Sequence, residues 1–269
     1  MYLTLDIGNS NIVGGIFSHK AGDYNVMHSF RLNTPSATTT DELALSIKSM
    51  LDHKRIEIND IKSAIFSSVV PSLNHNITKL MQLYFNIKIE IVTHKHFSTF
   101  IIHYKELEDL GLDRLVNIKA ANTLFGSPCI VIDFGTAVTI DVLKQETEFI
   151  GGLILPGIAI SLDALTKQTS QLPKVELKYP RKILGTSTKK GIQNGIYFLY
   201  KTAIETIITD IERNYFSAAT GKNNPNSPPT VIVTGGLAPF ITRQFTTPPK
   251  EVPFLTLIGL KMLLDDINK

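Results

Sequence analysis

Two short segments of the chain have the residue types and spacing to hold a phosphate group. Leu5-Asp6-Ile7-Gly8-Asn9-Ser10-Asn11-Ile12-Val13 and Ile132-Asp133-Phe134-Gly135-Thr136-Ala137-Val138-Thr139-Ile140 follow one plan: apolar strand, Asp, apolar residue, Gly, polar turn, second strand. Glycine lacks a Cβ, so turn amides can approach an anion closely, and successive amides form a concavity that favours phosphate. Asn9, Ser10, Asn11 and Thr136 add short side-chain donors. The Asp at each strand end is placed to hold magnesium or another hard cation, directly or through water, beside those phosphates. One Asp-x-Gly turn alone is an ordinary hairpin. Two matched copies 127 residues apart in a chain of 269, with a third glycine pair at Gly235-Gly236 after Val231-Ile232-Val233, argue for a duplicated phosphate-binding device. Neither Gly-x-x-x-x-Gly-Lys-[Ser/Thr] nor Gly-x-Gly-x-x-Gly between a strand and a helix is present as an alternative.

Other reactive side chains have plain structural readings. Asp113 stands just before an apolar-periodic segment, where Asp commonly caps a helix and commits its carboxylate to backbone N–H groups. Arg114 beside it suits either a surface ion pair or a fork on an anionic ligand. His94-Lys95-His96 alternates like a ligand pair but lacks an acidic neighbour, and reads as a surface strand end. Cys129 is the single cysteine, so no intrachain disulfide or thiolate cluster can form; its apolar surroundings make it a buried thiol.

The elements that would position these groups alternate between strand and helix. Tyr2–Ile7 and Ile12–Phe17 read as a hairpin. Thr40–Asp52 reads as a helix opened by a capping box of Thr39 and Glu42. Ile61–Val70 reads as a buried strand stopped by Pro71, Asn74–Phe85 as a helix, and Ile87–Val92 as a short strand. A helix is expected after Asp113 to about Phe125, then strand from Ser127 to Thr139. A long helix is expected over Lys190–Arg213, with Ile192, Ile196, Leu199, Ala203, Ile207 and Ile211 as its core stripe. Thr220–Thr230 reads as an exposed loop. Strands alternating with helices argue for an α/β layer fold, and the repeat for two similar domains facing one another, 1–112 and 113–269.

Composition bounds the rest. Hydrophobic residues make up 43% and charged residues 19%, which suits a folded globular chain. The balance of 27 Lys+Arg against 24 Asp+Glu contains no basic run, so no nucleic-acid partner is expected. There is no stretch of 18 apolar residues and no signal-peptide pattern at the start, so the expectation is no membrane span and a cytoplasmic location.

The ordered motifs Asp6-Ile7-Gly8-Asn9-Ser10-Asn11, Gly111-Leu112-Asp113-Arg114, Asp133-Phe134-Gly135-Thr136, Gly152-Leu153-Ile154-Leu155-Pro156-Gly157 and Thr234-Gly235-Gly236 resemble those of type III pantothenate kinases, in the superfamily of acetate kinase, sugar kinases, heat-shock chaperone ATPases and actin. Ser67-Ser68-Val69-Val70-Pro71, Leu172-Pro173 and Leu255-Thr256-Leu257-Ile258-Gly259-Leu260 add supporting matches. The resemblance implies two ribonuclease-H-like (actin-like ATPase) domains with a nucleotide cleft between them, and ATP-dependent phosphorylation of pantothenate, the first step toward coenzyme A. It implies ATP contacts along Asp6–Val13 (Asp6, Ile7, Gly8, Asn9, Ser10, Asn11, Ile12, Val13) and at Gly135, Thr136, Gly235 and Gly236. Pantothenate would meet Tyr104, Gly111, Leu112, Asp113, Arg114 and Thr188, with Asp113 as base. Asp6 would hold Mg2+ and Asp133 a monovalent cation, K+ or NH4+, in a homodimer. Ser10 stands where the family usually has Thr, keeping the hydroxyl. Two other readings remain at this level: a kinase of the same fold acting on another small hydroxyl compound, and a non-catalytic nucleotide-binding regulator.

Overall fold

The structure is a computed structural model describing residues 1–216 and 228–269; most of the loop expected at 220–230 lies outside the described residues. In chain order the strands and helices are β1 (Tyr2–Ile7), β2 (Asn11–Phe17), β3 (His28–Asn33), α1 (Thr40–His53), β4 (Ser63–Ser68), α2 (Pro71–Tyr84), β5 (Ile89–Ile91), β6 (Ile101–Ile102) and α3 (Leu112–Phe125). They continue with β7 (Cys129–Phe134), β8 (Ala137–Leu143), β9 (Glu148–Pro156), α4 (Ile158–Lys167), α5 (Thr188–Ile211), β10 (Thr230–Thr234), α6 (Ala238–Thr242), β11 (Lys250–Glu251) and α7 (Leu255–Ile267). Met1–Phe100, Tyr104–Ala120 and Phe254–Lys269 form one compact unit; Ile101–His103 and Ala121–Pro253 form the other. The division therefore falls inside α3 rather than ahead of it at residue 112. Residues 254–269, expected in the C-terminal half, return to the first unit.

The first unit is a five-stranded sheet in the order β3-β2-β1-β4-β5. β1, β2 and β3 pair antiparallel, whereas β4 and β5 run parallel to β1. Side chains alternate across β1: Leu3, Leu5 and Ile7 enter a core with Leu43, Ile47 and Leu51 of α1 and Leu73, Ile77 and Leu80 of α2. α7 packs over β1, β2 and β4. It meets the opposite face, with Leu257 lying against Gly15. α1 starts as its capping box predicts: Glu42 N donates to Thr39 Oγ1 at 3.2 Å and Thr39 N donates to Glu42 Oε2 at 2.8 Å. α2 starts earlier than expected, at Pro71, because proline at a first helical position has no amide to waste and a φ already suited to helix.

The second unit repeats the plan. Its sheet order is β11-β10-β7-β8-β9-β6, with β7, β8 and β9 antiparallel and β10 and β11 parallel to β7. Apart from the added β6, β9-β8-β7-β10-β11 corresponds strand for strand to β3-β2-β1-β4-β5. The second strand–turn–strand segment is a hairpin as expected, turned at Gly135-Thr136. α5 covers the sheet through Ile196, Tyr197, Tyr200 and Ile204, while Leu199 of the expected stripe is 58% exposed. Elsewhere the expected stripe holds: Ile196 and Ile211 are buried in this core, and Ile192 and Ile207 pack against it. These are two ribonuclease-H-like α/β units. No helix among the described residues is long and apolar enough to cross a membrane.

Candidate active site

At the end of β1, Asp6 lies opposite Val13 of β2 and Ser67 of β4. The Ser67 hydroxyl, almost wholly buried, donates to Asp6 Oδ1 at 3.2 Å. The turn closes through Gly8 N to Asn11 O at 2.9 Å, so the Gly8 amide is already engaged within the hairpin. Asn9 and Ser10 are exposed at its tip. Thr34, which follows β3, braces the turn: its Oγ1 donates to Gly8 O at 2.6 Å and its amide to Ser10 O at 3.0 Å. Ile7 and Ile12 face each other across the hairpin and are fully buried, so their side chains are core and only their backbone is left for a ligand. Ser67 and Thr34 are site residues that the sequence reading did not assign; the polar pair Ser67-Ser68 ending an apolar strand was the available signal.

In the second unit three motifs converge on the end of β7. Asp133 lies opposite Thr139 of β8 and Thr234 of β10, the same register that Asp6 has with Val13 and Ser67. Gly235 has φ +91°, a conformation open to glycine, and a Cβ there would fall 2.6 Å from Phe134 O and 2.7 Å from Asp133 Oδ1. A Cβ on Gly157 would fall 1.9 Å from Thr136 O. Backbone of the turns at Gly135-Thr136, Pro156-Gly157 and Thr234-Gly235-Gly236 is therefore in direct contact, with Gly135 and Thr136 exposed. Among the described residues no group of three His, Cys, Asp or Glu side chains gathers to hold a metal. Single carboxylates such as Asp6 and Asp133 suit instead a cation whose other ligands are phosphate oxygens and water.

The third constellation lies in the first unit. Asp113 falls inside the first turn of α3, which begins at Leu112, rather than ahead of the helix. Its Oδ1 accepts from Arg114 N at 2.9 Å, and a Cβ on Gly111 would sit 2.5 Å from that same oxygen. Glycine at 111 therefore leaves the space that the carboxylate occupies. Arg114 is 4% exposed, and its guanidinium carbon lies 5.9 Å from the Tyr104 ring centroid, within cation–π range. Burial pushes the Asp113 carboxyl above the usual range, outweighing the Arg114 amide and guanidinium that pull it down. A carboxyl tuned upward in this way is better matched to accepting a proton near neutral pH. His94 Nε2 donates to Leu110 O at 3.0 Å, just ahead of this turn, and residues His94–Phe97 form a single 3-10 turn instead of a strand end. Leu112 is half-buried at the start of α3. Thr188 opens α5 in the second unit and is exposed, behind the Ser187 cap.

The family model of type III pantothenate kinase matches residues 2–210. The chain belongs to the type III pantothenate kinase family. A type III pantothenate kinase from Geobacillus thermodenitrificans is 37% identical over 265 residues, covering 98% of this chain and 97% of that protein. Kinship with these kinases thus extends past residue 210 to Thr234-Gly235-Gly236 and α7. Two solved structures share the fold. A conserved protein assigned to the Baf family of transcriptional activators from Campylobacter jejuni has a TM-score of 0.57 at 19% identity, covering 99% of this chain and 98% of its own. The activator of 2-hydroxyisocaproyl-CoA dehydratase from Clostridium difficile, with bound ADPNP, has a TM-score of 0.54 at 12% identity, covering 99% and 94%. At those identities the likeness is one of fold alone.

Proposed function

We propose that this chain transfers the γ-phosphoryl group of ATP to the hydroxyl of pantothenate, giving 4'-phosphopantothenate in the first step of coenzyme A biosynthesis. The observation that carries this reading is the near full-length kinship with type III pantothenate kinases, seated on a Gly-x-Asp-Arg turn in which Asp113, Arg114 and Tyr104 meet. Turn amides at Asn9–Asn11 and Gly135–Thr136 hold the ATP phosphates, with Gly235-Gly236 toward the nucleoside. Asp113 orients the pantothenate hydroxyl and takes its proton as the bond to phosphorus forms. Arg114, within cation–π range of Tyr104, receives the pantothenate carboxylate, and Thr188 supplies a further hydroxyl. Phosphoryl transfer passes through a loose transition state, so positioning and charge neutralisation do most of the catalytic work.

Divalent metal accompanies ATP in this family of kinases, and Asp6 would hold it as Mg2+. A bound divalent ion would neutralise charge on the phosphates. Asp133 takes a monovalent cation, K+ or NH4+, with the Phe134 backbone oxygen also close to the Gly235 turn. The second unit leaves the apolar side chains Leu153, Ile154, Ile160, Ile183, Leu184 and Leu199 exposed, and a homodimer would cover such residues. The enzyme acts in the cytoplasm.

The test is a coupled assay of ADP release with pantothenate, repeated with sodium replacing potassium and ammonium. Pantothenate-dependent release that falls sharply in sodium is expected. No pantothenate-dependent release would overturn the reading, and release indifferent to the cation would remove the role of Asp133.

A further inference from the structure

The Leu255-Thr256-Leu257-Ile258-Gly259-Leu260 segment has so far only marked a family resemblance. In the structure it is the start of α7, inside the first unit, and it grips α3. Thr256, 8% exposed, donates its hydroxyl to Asn117 Oδ1 at 2.8 Å. Asn117 is 2% exposed and lies four residues, one helical turn, beyond Asp113. One turn along α7, Gly259 touches α3 directly: a Cβ there would fall 2.5 Å from Val116 O and 2.6 Å from Val116 Cγ1. Farther along the two helices, Lys119 Nζ and Asp266 Oδ2 pair at 2.8 Å.

These three contacts differ in what they constrain. The Gly259–Val116 contact sets how close the helices lie. The ion pair is half-exposed and screened, so it adds little. Only the Thr256–Asn117 bond is both buried and directional, so it fixes rotation and register of α3. A buried hydrogen bond of this kind contributes little net stability, but misalignment carries the desolvation cost of the buried Thr256 hydroxyl. Packing alone would be served by an apolar residue at 256, between the buried Leu255 and Leu257. The first turn of a helix has the fewest internal hydrogen bonds, so Asp113 and Arg114 depend on whatever holds the next turn.

We propose that Thr256 and Asn117 are positioning residues, which hold the first turn of α3 in the register that presents Asp113 and Arg114 to the substrate. This rests on the pantothenate kinase reading for its catalytic consequence, though not for the contact itself. The test compares Thr256→Val, which keeps shape and removes the hydroxyl, with Thr256→Ser, which keeps the hydroxyl. ADP release with pantothenate and amide hydrogen exchange across residues 112–117 are measured on the full chain. Thr256→Val should lower kcat about tenfold or more, as small displacements of positioned groups do, with the KM for ATP changed less than about twofold. Exchange in the first turn of α3 should quicken while β7 and β10 stay protected. Thr256→Ser should return both quantities to within about threefold of the parent. Asn117→Leu combined with Thr256→Val should be no worse than either alone. Unchanged exchange at Arg114 in Thr256→Val overturns the proposal, as does unchanged turnover, or equal losses for Val and Ser. If the unaltered protein releases no ADP with pantothenate, the functional reading fails instead, and exchange alone then decides whether the contact holds the turn.

Discussion

Asp113 is held between opposing influences, and their balance gives a stability test as well as a kinetic one. Burial raises its pKa against the pull of the Arg114 amide and guanidinium. A carboxyl raised on folding supports the fold fully only below its unfolded pKa of about 4, and that support is lost as pH rises through the folded value. Asp113→Asn, always neutral, should therefore melt no lower than the parent at pH 7, with the difference shrinking in acid. Calorimetry across pH checks the sign. The same substitution should cut turnover by about a hundredfold or more while ATP still binds, the loss expected for a positioned base. Near-normal turnover would remove Asp113 from catalysis. Cys129 is the contrasting case: fully buried, with its thiol pushed up to about 12, it should resist thiol reagents until the protein is unfolded. Rapid labelling of the native protein would contradict that placement.

Among the elements, the glycine turns of the second unit carry the sharpest constraint. Gly157 lies against the Thr136 carbonyl with no room for a Cβ, whereas a Cβ on Gly195 in α5 would meet nothing within 4 Å. Gly157→Ala must displace backbone and should weaken ATP binding about tenfold or more; Gly195→Ala should change it little. Calorimetric titration of a non-hydrolysable ATP analogue distinguishes the two, and equal effects would detach the Gly157 turn from the nucleotide site. The hairpins were legible because Asp-x-Gly and its flanking strands are local patterns repeated at matching positions. The equivalence of Ser67 and Thr234 was not, because they face Asp6 and Asp133 through parallel pairing with β4 and β10, strands far off in sequence. Thr34 was invisible for the same reason, since it reaches Gly8 from the end of β3.

For the whole molecule, the return of α7 to the first unit is the least local decision the chain makes. Its buried apolar side chains Leu255, Leu257, Ile258, Leu260, Met262, Leu263 and Leu264 accompany a fully buried Lys261 paired with Asp265. Lys261 also lies 5.1 Å from the Tyr2 ring centroid, and Asp265 accepts from Gly22 N at 3.2 Å. Each fully buried aliphatic side chain is worth about 1.5–3 kcal/mol before ordering entropy is counted, so losing seven is large beside the net stability of an ordinary domain, about 5–15 kcal/mol. Ending the chain at Pro253 should leave the first unit unprotected in hydrogen exchange, with β1 and β4 losing their slow amides. Persisting protection there would show that α7 is dispensable.

The sequence by itself determined the duplicated strand–turn–strand plan, the α/β class, the capped helix at Thr40, and the motifs whose order marks the family. All of these depend on residues close together in the chain or on a pattern repeated along it. Only the tertiary structure decided that the unit boundary runs inside α3, that Ile7 and Ile12 serve the core, and that Thr256 holds the helix carrying Asp113. Those outcomes depend on which distant surfaces bury one another, and burial between segments some 140 residues apart leaves no periodicity to read.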